Sequence, residues 1–249
     1  MKKFKIYLNG FLLINLLWLL FYLIFHRVEI PNQLEVYSSF RLFFKEDICI
    51  DVILSFSRIA AGVLIALFLG SLLGYVMAIR KKINSIISPL VVFLNPIPKA
   101  VFFPVIFVVL GPGECSLLIT ITLVILLQIV ISVRDTVFEI NKDNVDYLIS
   151  LGCSRKQLFT NVIIPDILPG IIFNIGKKLR TAISILFFCE AFGNKRGIGS
   201  YVFASWQRKD YISMYKGVFV VCILGIILFQ IIEFTEYKLV KHKSVKIFI

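Results

Sequence analysis

Acidic residues are scarce in this chain: 15 Asp and Glu stand against 27 Lys and Arg, a net charge of +12 over 249 residues. Histidine is scarcer still. His26 and His242 lie near opposite ends, and neither joins a metal-ligand pattern, so no metal is expected. The five cysteines (Cys49, Cys115, Cys153, Cys189, Cys222) are scattered and show no redox or metal spacing. They read as small apolar packing residues. No nucleophile elbow or paired catalytic set is present, so the chain does not read as an enzyme. Gly176-Lys177 is not a phosphate loop: position 171 is Ile where the first glycine should be, and Lys178 replaces the Ser/Thr. The chain is therefore expected to bind no ATP itself and to carry no cofactor of its own. The basic excess comes without a recognition motif, so nucleic acid is not an expected partner.

What is abundant is apolar surface. The chain is 59% hydrophobic and 14% aromatic, with mean hydropathy +0.91, against roughly 45–50% apolar residues in a soluble domain. Runs of about 20 apolar residues recur, the length needed to cross roughly 30 Å of hydrocarbon. The fold class expected is an all-α polytopic membrane protein with about six spans: 8–25, 56–79, 86–110, 115–133, 170–190 and 214–237. Lys2, Lys3 and Lys5 before the first run also fit a secretory signal, but no small-x-small cleavage site follows, so a retained span is expected. The basic segments are the N-terminus, the turn at Arg80-Lys81-Lys82, the loop with Arg134, Lys142, Arg155 and Lys156, and the tail with Lys238, Lys241, Lys243 and Lys246. An even number of spans puts all four on one side, which the positive-inside rule makes the cytoplasm. Lys195, Arg196, Arg208 and Lys209 run against that pattern, being placed outside. Residues 1–50 read as a peripheral helix with an external connector, 51–240 as the transmembrane core, and 241–249 as a basic cytoplasmic tail.

Several spans carry features that plain hydropathy does not require. Gly62, Ala66, Gly70 and Gly74 recur at four-residue spacing, giving one small helical face. It suits a tight subunit or intra-bundle contact, or simply generic helix packing. Span three is interrupted by Asn95-Pro96-Ile97-Pro98-Lys99, and two prolines so close forbid a regular helix. A break at membrane depth is tolerated only where protein buries it or a cavity hydrates it. Lys99 lies roughly 20 Å along from Ile86. It either lines a route or snorkels to outer headgroups. Lys177, Lys178 and Arg180 in span five either snorkel to lipid phosphates or form a basic lining for an anionic solute. Glu190, near the outer end of that span, needs a partner and reads as a structural pair or a gate. Gly193, Gly197 and Gly199 then permit a tight external turn or re-entrant segment.

One segment is too polar to cross a bilayer: Asp146 to Pro165. It reads as two short helices hinged at Gly152. Ser154 and Gln157 form a capping box for the second, Leu158 and Phe159 give it an apolar tip, and Pro165 with Pro169 stops it before span five. A structured loop of this kind suits a soluble partner that pushes on it.

These residues, in this order, resemble the inner-membrane permease subunits of bacterial ABC importers, nearest the nitrate/sulfonate/taurine/bicarbonate subgroup. The family's loop pattern is E-A-A, three residues, G, nine residues, I-x-L-P. Gly152 occupies the glycine, Val162-Ile163-Ile164-Pro165 matches the end, and Asp146-Tyr147-Leu148 stands at the triplet with both alanines replaced. Ser57-Arg58 before Gly62, Ile97-Pro98 through Pro104 to Gly111-Pro112-Gly113-Glu114, Pro169-Gly170 through Glu190, and the glycine turn match further, over about residues 51–240. Lys99 replaces a proline of the family pattern. The resemblance implies a five-helix importer-permease core in a bacterial inner membrane, with both termini cytoplasmic. It implies a second permease copy, most simply a homodimer, and a cytoplasmic coupling-helix loop docked into each of two ATPase subunits that hold ATP and Mg. A periplasmic or lipid-anchored binding protein would deliver the solute. Lys99 and the span-five cations lean toward a small anion such as a sulfonate, nitrate or bicarbonate. A thiamine-pyrimidine precursor or other aromatic solute is the alternative cargo. Rival classes fit less well: a secondary transporter would need buried acids, which are few and chiefly Glu190, and an inverted repeat, which is not seen; a membrane enzyme lacks a catalytic set, and a vitamin-importer scaffold fits the loop spacing poorly.

Overall fold

The computed structural model describes residues 2–43, 47–140, 147–193 and 196–246, and every regular element among them is helical. In chain order these are α1 (Lys2–Phe25), α2 (Gln33–Ser39), a 3-10 turn (Phe40–Leu42), α3 (Ile48–Ile79), α4 (Lys81–Leu94), a second 3-10 turn (Lys99–Phe102) leading into α5 (Phe103–Leu110), and α6 (Glu114–Glu139). Then come α7 (Arg155–Leu158), a π-helical turn (Phe159–Ile163), α8 (Ile164–Gly193), α9 (Ile198–Gln207) and α10 (Tyr211–Lys246). Among the described residues five helices are long and apolar enough to cross a membrane, or six if the bent pair α4 and α5 counts as one span. The chain divides into two compact units, Met1–Ser55 with Glu190–Leu224, and Phe56–Cys189 with Gly225–Ile249.

In the second unit α6 is the axis. It is apolar all round, as a helix enclosed by others must be, and Leu117, Ile121, Ile125, Ile129, Val130 and Val133 are fully buried. The small face of α3 meets it. A Cβ at Gly62 would lie 2.6 Å from Ile121 Cγ2, at Gly70 2.9 Å from Ile129 Cβ, and at Gly74 2.6 Å from the carbonyl oxygen of Val130. Ala66 on the same stripe has no exposed surface. The stripe therefore serves a contact within the chain. Because the obstacle at Gly74 is backbone, it cannot swing aside. Gly74→Leu is expected to cost about 1–3 kcal/mol or more through overpacking, read as a fall in melting temperature of the detergent-solubilised protein. Met77, Val91, Leu127 and Val130 continue the contact and bring α4 against α6.

The prolines at 96 and 98 do more than interrupt span three. The two helices flanking them meet at 97°. With 14 residues, α4 is about 21 Å long at 1.5 Å per residue, too short to cross alone. The expected single span at 86–110 is a broken one.

Prolines 165 and 169 act differently from expectation. They do not stop the loop helix: Arg155–Phe192 runs as one 38-residue helix. Within the π turn Ile164 N–H donates to the Phe159 carbonyl, five residues back. That wider turn shifts the donor pattern by one residue just before Pro165, whose ring and missing N–H would otherwise break an α-helix. Gly170 then brings α8 close to α6, where an added Cβ would lie 3.1 Å from Ser132 Oγ.

In the first unit α1 is peripheral. None of its apolar window is buried, and one side is held by aromatic contacts. Trp18 stacks on Tyr215 at 5.2 Å between centroids, and Trp18 Nε1 donates to the Pro31 carbonyl at 3.2 Å. Phe219 makes near-perpendicular ring contacts with Phe11, Tyr37 and Phe40. The rest of α1 offers exposed Leu13, Ile14, Leu17, Phe21 and Ile24, a surface suited to lipid.

Candidate coupling loop and membrane-depth polar sites

Residues 147–150 are helical and end in a Schellman motif. Gly152 N–H donates to Ile149 O at 2.9 Å and Cys153 N–H to Leu148 O at 3.0 Å, with Gly152 at φ +87°. Two residues on, Ser154 opens α7. Its hydroxyl accepts from Gln157 N–H at 3.3 Å while Gln157 Oε1 accepts from Ser154 N–H at 2.9 Å, the capping box read from sequence. Gly152 is thus a fixed joint and not a loose hinge. Asp146 lies outside the described residues.

The apolar surface of this loop is not where the sequence placed it. Leu158 and Phe159 are only half-exposed, and Phe159 is turned inward onto Tyr75 of α3, edge to face at 5.1 Å. Val162 is half-buried, whereas Ile164 and Pro165 are exposed. The apolar side chains that stand out are Tyr147, Leu151 and Ile149, at 64%, 67% and 49% exposure. They lie on the N-terminal arm: Tyr147 stands at one of the two replaced alanines of the family triplet, and Ile149 and Leu151 lie in the three residues between the triplet and Gly152. Alternation of Tyr147, Ile149 and Leu151 was the available signal.

The break in α4 and α5 gathers a second set. Asn95 caps α4. Its carbonyl, which in an unbroken helix would take the N–H of residue 99, accepts instead from Lys99 Nζ at 2.5 Å. Lys99 therefore closes the break with its side chain. Gln128 of α6 donates to Asn95 Oδ1 at 2.6 Å. From α8 the half-buried Lys178 comes near enough for its ammonium to repel that of Lys99. Its neighbours turn elsewhere: Lys177 lies 4.0 Å over the Phe173 ring, and Arg180 4.9 Å over Phe229 of α10. Pro96 and Pro98 are exposed beside the break. The span-five cations are thus sorted, one toward the break and two onto aromatic faces.

Glu190, read from the sequence as a structural pair or a gate, belongs to the first unit. It is completely buried. Ser55 Oγ donates to the carboxylate at 2.8 Å, and so does Gly199 N–H at 3.0 Å. Gly197 N–H donates to Asp51 Oδ1 at 2.9 Å and Ile198 N–H to Ser55 Oγ at 3.0 Å. Three successive N–H groups at the start of α9 thus each meet a side chain, two of them carboxylates at the positive end of a helix. The glycine turn is therefore specific: Gly193 ends α8, Gly197 at φ +125° caps α9, and Gly199 lies buried in its first turn. Arg196 Nη1 adds an ion pair to Asp47 at 3.1 Å. Sequence reasoning missed Asp51 and Ser55, although two polar residues four apart at the head of an apolar helix were visible.

Two further family matches meet in the other unit. Arg58, 3% exposed, holds Glu114 with two hydrogen bonds, Nε to Oε2 at 2.8 Å and Nη2 to Oε1 at 2.5 Å. The bidentate pair joins the start of the α3 small face to the first turn of α6.

Five helices long and apolar enough to cross a membrane, with a further broken pair, define a multi-pass membrane protein. The chain belongs to the family of binding-protein-dependent transport system inner membrane components, whose model matches residues 62–243. It is 26% identical over 174 residues to the taurine transport system permease protein TauC of Escherichia coli, covering 70% of this chain and 63% of that one. It is 22% identical over 178 residues to the formylaminopyrimidine transport permease protein ThiX of Halalkalibacterium halodurans, covering 72% and 71%. It is 22% identical over 158 residues to the nitrate import permease protein NrtB of Synechococcus elongatus, covering 64% and 57%. The chain thus spans less than two thirds of the taurine and nitrate permeases. Its fold is similar to that of a chain in inward-facing structures of the MetNI methionine ABC transporter, with TM-score 0.56, 19% identity, and coverage of 79% and 98%.

Proposed function

We propose that this chain is the permease subunit of an ATP-driven, binding-protein-dependent importer of a bacterial inner membrane. Two copies enclose the translocation route, two cytoplasmic ATPase subunits bind and hydrolyse ATP with Mg, and a binding protein delivers solute from outside. Both termini and the loop at 147–165 lie in the cytoplasm on this reading, following the distribution of Lys and Arg.

The observation that carries it is the continuity of the loop with a membrane span. A loop held by a Schellman motif and a capping box runs without a break into a 38-residue helix. A push on its exposed Tyr147, Ile149 and Leu151 is therefore transmitted along a rigid element to Lys178. Coupling of this kind needs an element with two positions that ATP state biases differently, and a continuous helix supplies the lever. Cargo follows from charge. Lys99 at the break and Lys178 on α8 place two half-buried cations in the same unit, a charge pattern that an anion would neutralise. A small oxyanion of the sulfonate, nitrate or bicarbonate type is favoured over an aromatic pyrimidine.

Co-expression with an adjacent ATPase and binding protein, followed by reconstitution, tests both levels. ATP-dependent uptake of labelled taurine, nitrate or bicarbonate is expected. Lys99→Glu should lower it at least about tenfold, because reversing a charge at membrane depth exceeds about 1.4 kcal/mol. Unchanged uptake in that variant would rule out the anion reading. Failure of the wild type to retain an ATPase would rule out the permease reading.

A further inference from the structure

Polar side chains at membrane depth are costly unless protein or water covers them. Four of them belong to the second unit around the break: Lys99 and Gln128 each hydrogen-bond Asn95, and Lys178 of α8 interacts electrostatically with Lys99. Asn95 is exposed, and Lys99, Gln128 and Lys178 are half-buried. They come from three separate elements: the break, the centre of α6, and α8. Gln128 lies about 21 Å from the start of α6 at 1.5 Å per residue, the one amide in the apolar run from Leu117 to Ile131. This group does not suit lipid chains. Nor is the amide spent on structure alone. Gln128 Nε2 has two N–H bonds, and Asn95 Oδ1 takes one of them. Asn95 Nδ2 adds two more donors, since its Oδ1 is the atom that accepts. Together with two ammonium groups the site therefore offers amide N–H groups from two elements, the donor set that an oxygen anion accepts from.

We infer that Asn95, Lys99, Gln128 and Lys178 form an oxyanion-binding site at the break of the third span, in which Gln128 is the selecting residue. The assignment rests on the permease reading above and adds to it the residues that hold the cargo. Lys99 and Lys178 supply charge, which any anion satisfies. The amides of Gln128 and Asn95 supply directed donors, which favour an anion carrying several oxygens over a halide. An element carrying the site is continuous with the loop: Lys178 rides on the same helix as α7, so movement of the loop changes the distance between the two cations and with it the hold on the anion.

Gln128→Glu separates a binding role from a structural one. Glutamate keeps the shape, and the Asn95 amide can flip so that Nδ2 donates to the new carboxylate, preserving the bridge between α6 and the break. The substitution nevertheless puts a negative charge beside the two lysines. Uptake of taurine, nitrate and bicarbonate by the reconstituted full complex is expected to fall at least about tenfold, since like charge opposed at a binding site is strongly disfavoured. ATPase retention and the yield of assembled complex, read by co-purification, should stay at wild-type level, which separates lost binding from lost assembly. Gln128→Asn, run alongside, keeps the donor but withdraws it, and is expected to raise KM for the anion with little change in kcat. Wild-type uptake kinetics in both variants would overturn the assignment. So would a wild-type complex that imports a formylaminopyrimidine but none of the anions, a result that leaves the permease reading standing. A wild-type chain that retains no ATPase would instead remove that reading.

Discussion

Gly152→Val is expected to abolish retention of the ATPase subunits while leaving the chain inserted in the membrane at normal abundance. Gly152 sits at φ +87° with nothing within 4 Å of where a Cβ would be, so the substitution meets no clash and its effect is conformational. An L-residue in the left-handed region costs roughly 1–2 kcal/mol, and a β-branched one is a genuine outlier there. Valine relieves the strain by leaving that region. Doing so breaks the bonds from Gly152 N–H to Ile149 O and from Cys153 N–H to Leu148 O. The arm bearing Tyr147, Ile149 and Leu151 then loses its fixed angle to the capped α7. A docking surface that must be held before binding loses about tenfold in affinity for each 1.4 kcal/mol of ordering added. Gly152→Asn is the control, because Asn tolerates the left-handed region. It should restore much of the co-purification. Pull-down from solubilised membranes, with uptake measured in parallel, reads the outcome. Full ATPase retention by Gly152→Val would remove the loop from the coupling role.

What could be read from the sequence was local. The capping box needs only Ser154 and Gln157, three residues apart, and both its hydrogen bonds are present. The glycine stripe of α3 is a period, and a period shows that some backbone comes close. It does not say which, and α6 is fixed only by the fold. Phe159 was misread for the same reason. Among Arg155, Lys156 and Gln157 it looks like an apolar tip, until Tyr75 arrives from far along the chain. Pro165 was misread because a proline in an α-helix breaks it, whereas the π turn before it changes the donor pattern. Lys99 shows a mixture of both. Its position beside a proline break was legible, but the carbonyl it satisfies belongs to Asn95, released only because the break opens. The six-span reading survived at the level of apolar runs, and the 97° bend in the third did not appear in hydropathy, which counts residues and not direction.

Glu190 shows the limit most clearly, and its removal should be among the most damaging single changes in the chain. The sequence marks it as an acid far into an apolar span. Its partner Ser55 is 135 residues away, and nothing local links them. Glu190→Ala would strand the Ser55 hydroxyl and the Gly199 N–H in a site with no exposed surface. Each buried donor left unpaired costs roughly 1–3 kcal/mol, so a total of about 2–6 kcal/mol is expected. The loss should be focused on α9, since the carboxylates of Glu190 and Asp51 together with Ser55 hold its first turn. Thermal unfolding in detergent would show the fall in melting temperature, and limited proteolysis should find new cleavage between residues 196 and 210. Ser55→Ala removes one donor together with its own acceptor for Ile198 N–H, and is expected to cost less. Because the two residues share one network, the double variant should lose less than the sum of the single losses. A melting temperature for Glu190→Ala within a degree or two of wild type would mean that the first turn of α9 is held by something other than this carboxylate. If the fold alone depends on it, Glu190→Gln should keep part of this hydrogen bonding and retain uptake in proportion to the amount of folded protein. Loss of uptake beyond that proportion would assign the buried carboxylate a part in the transport cycle itself, with α9 as the element it positions.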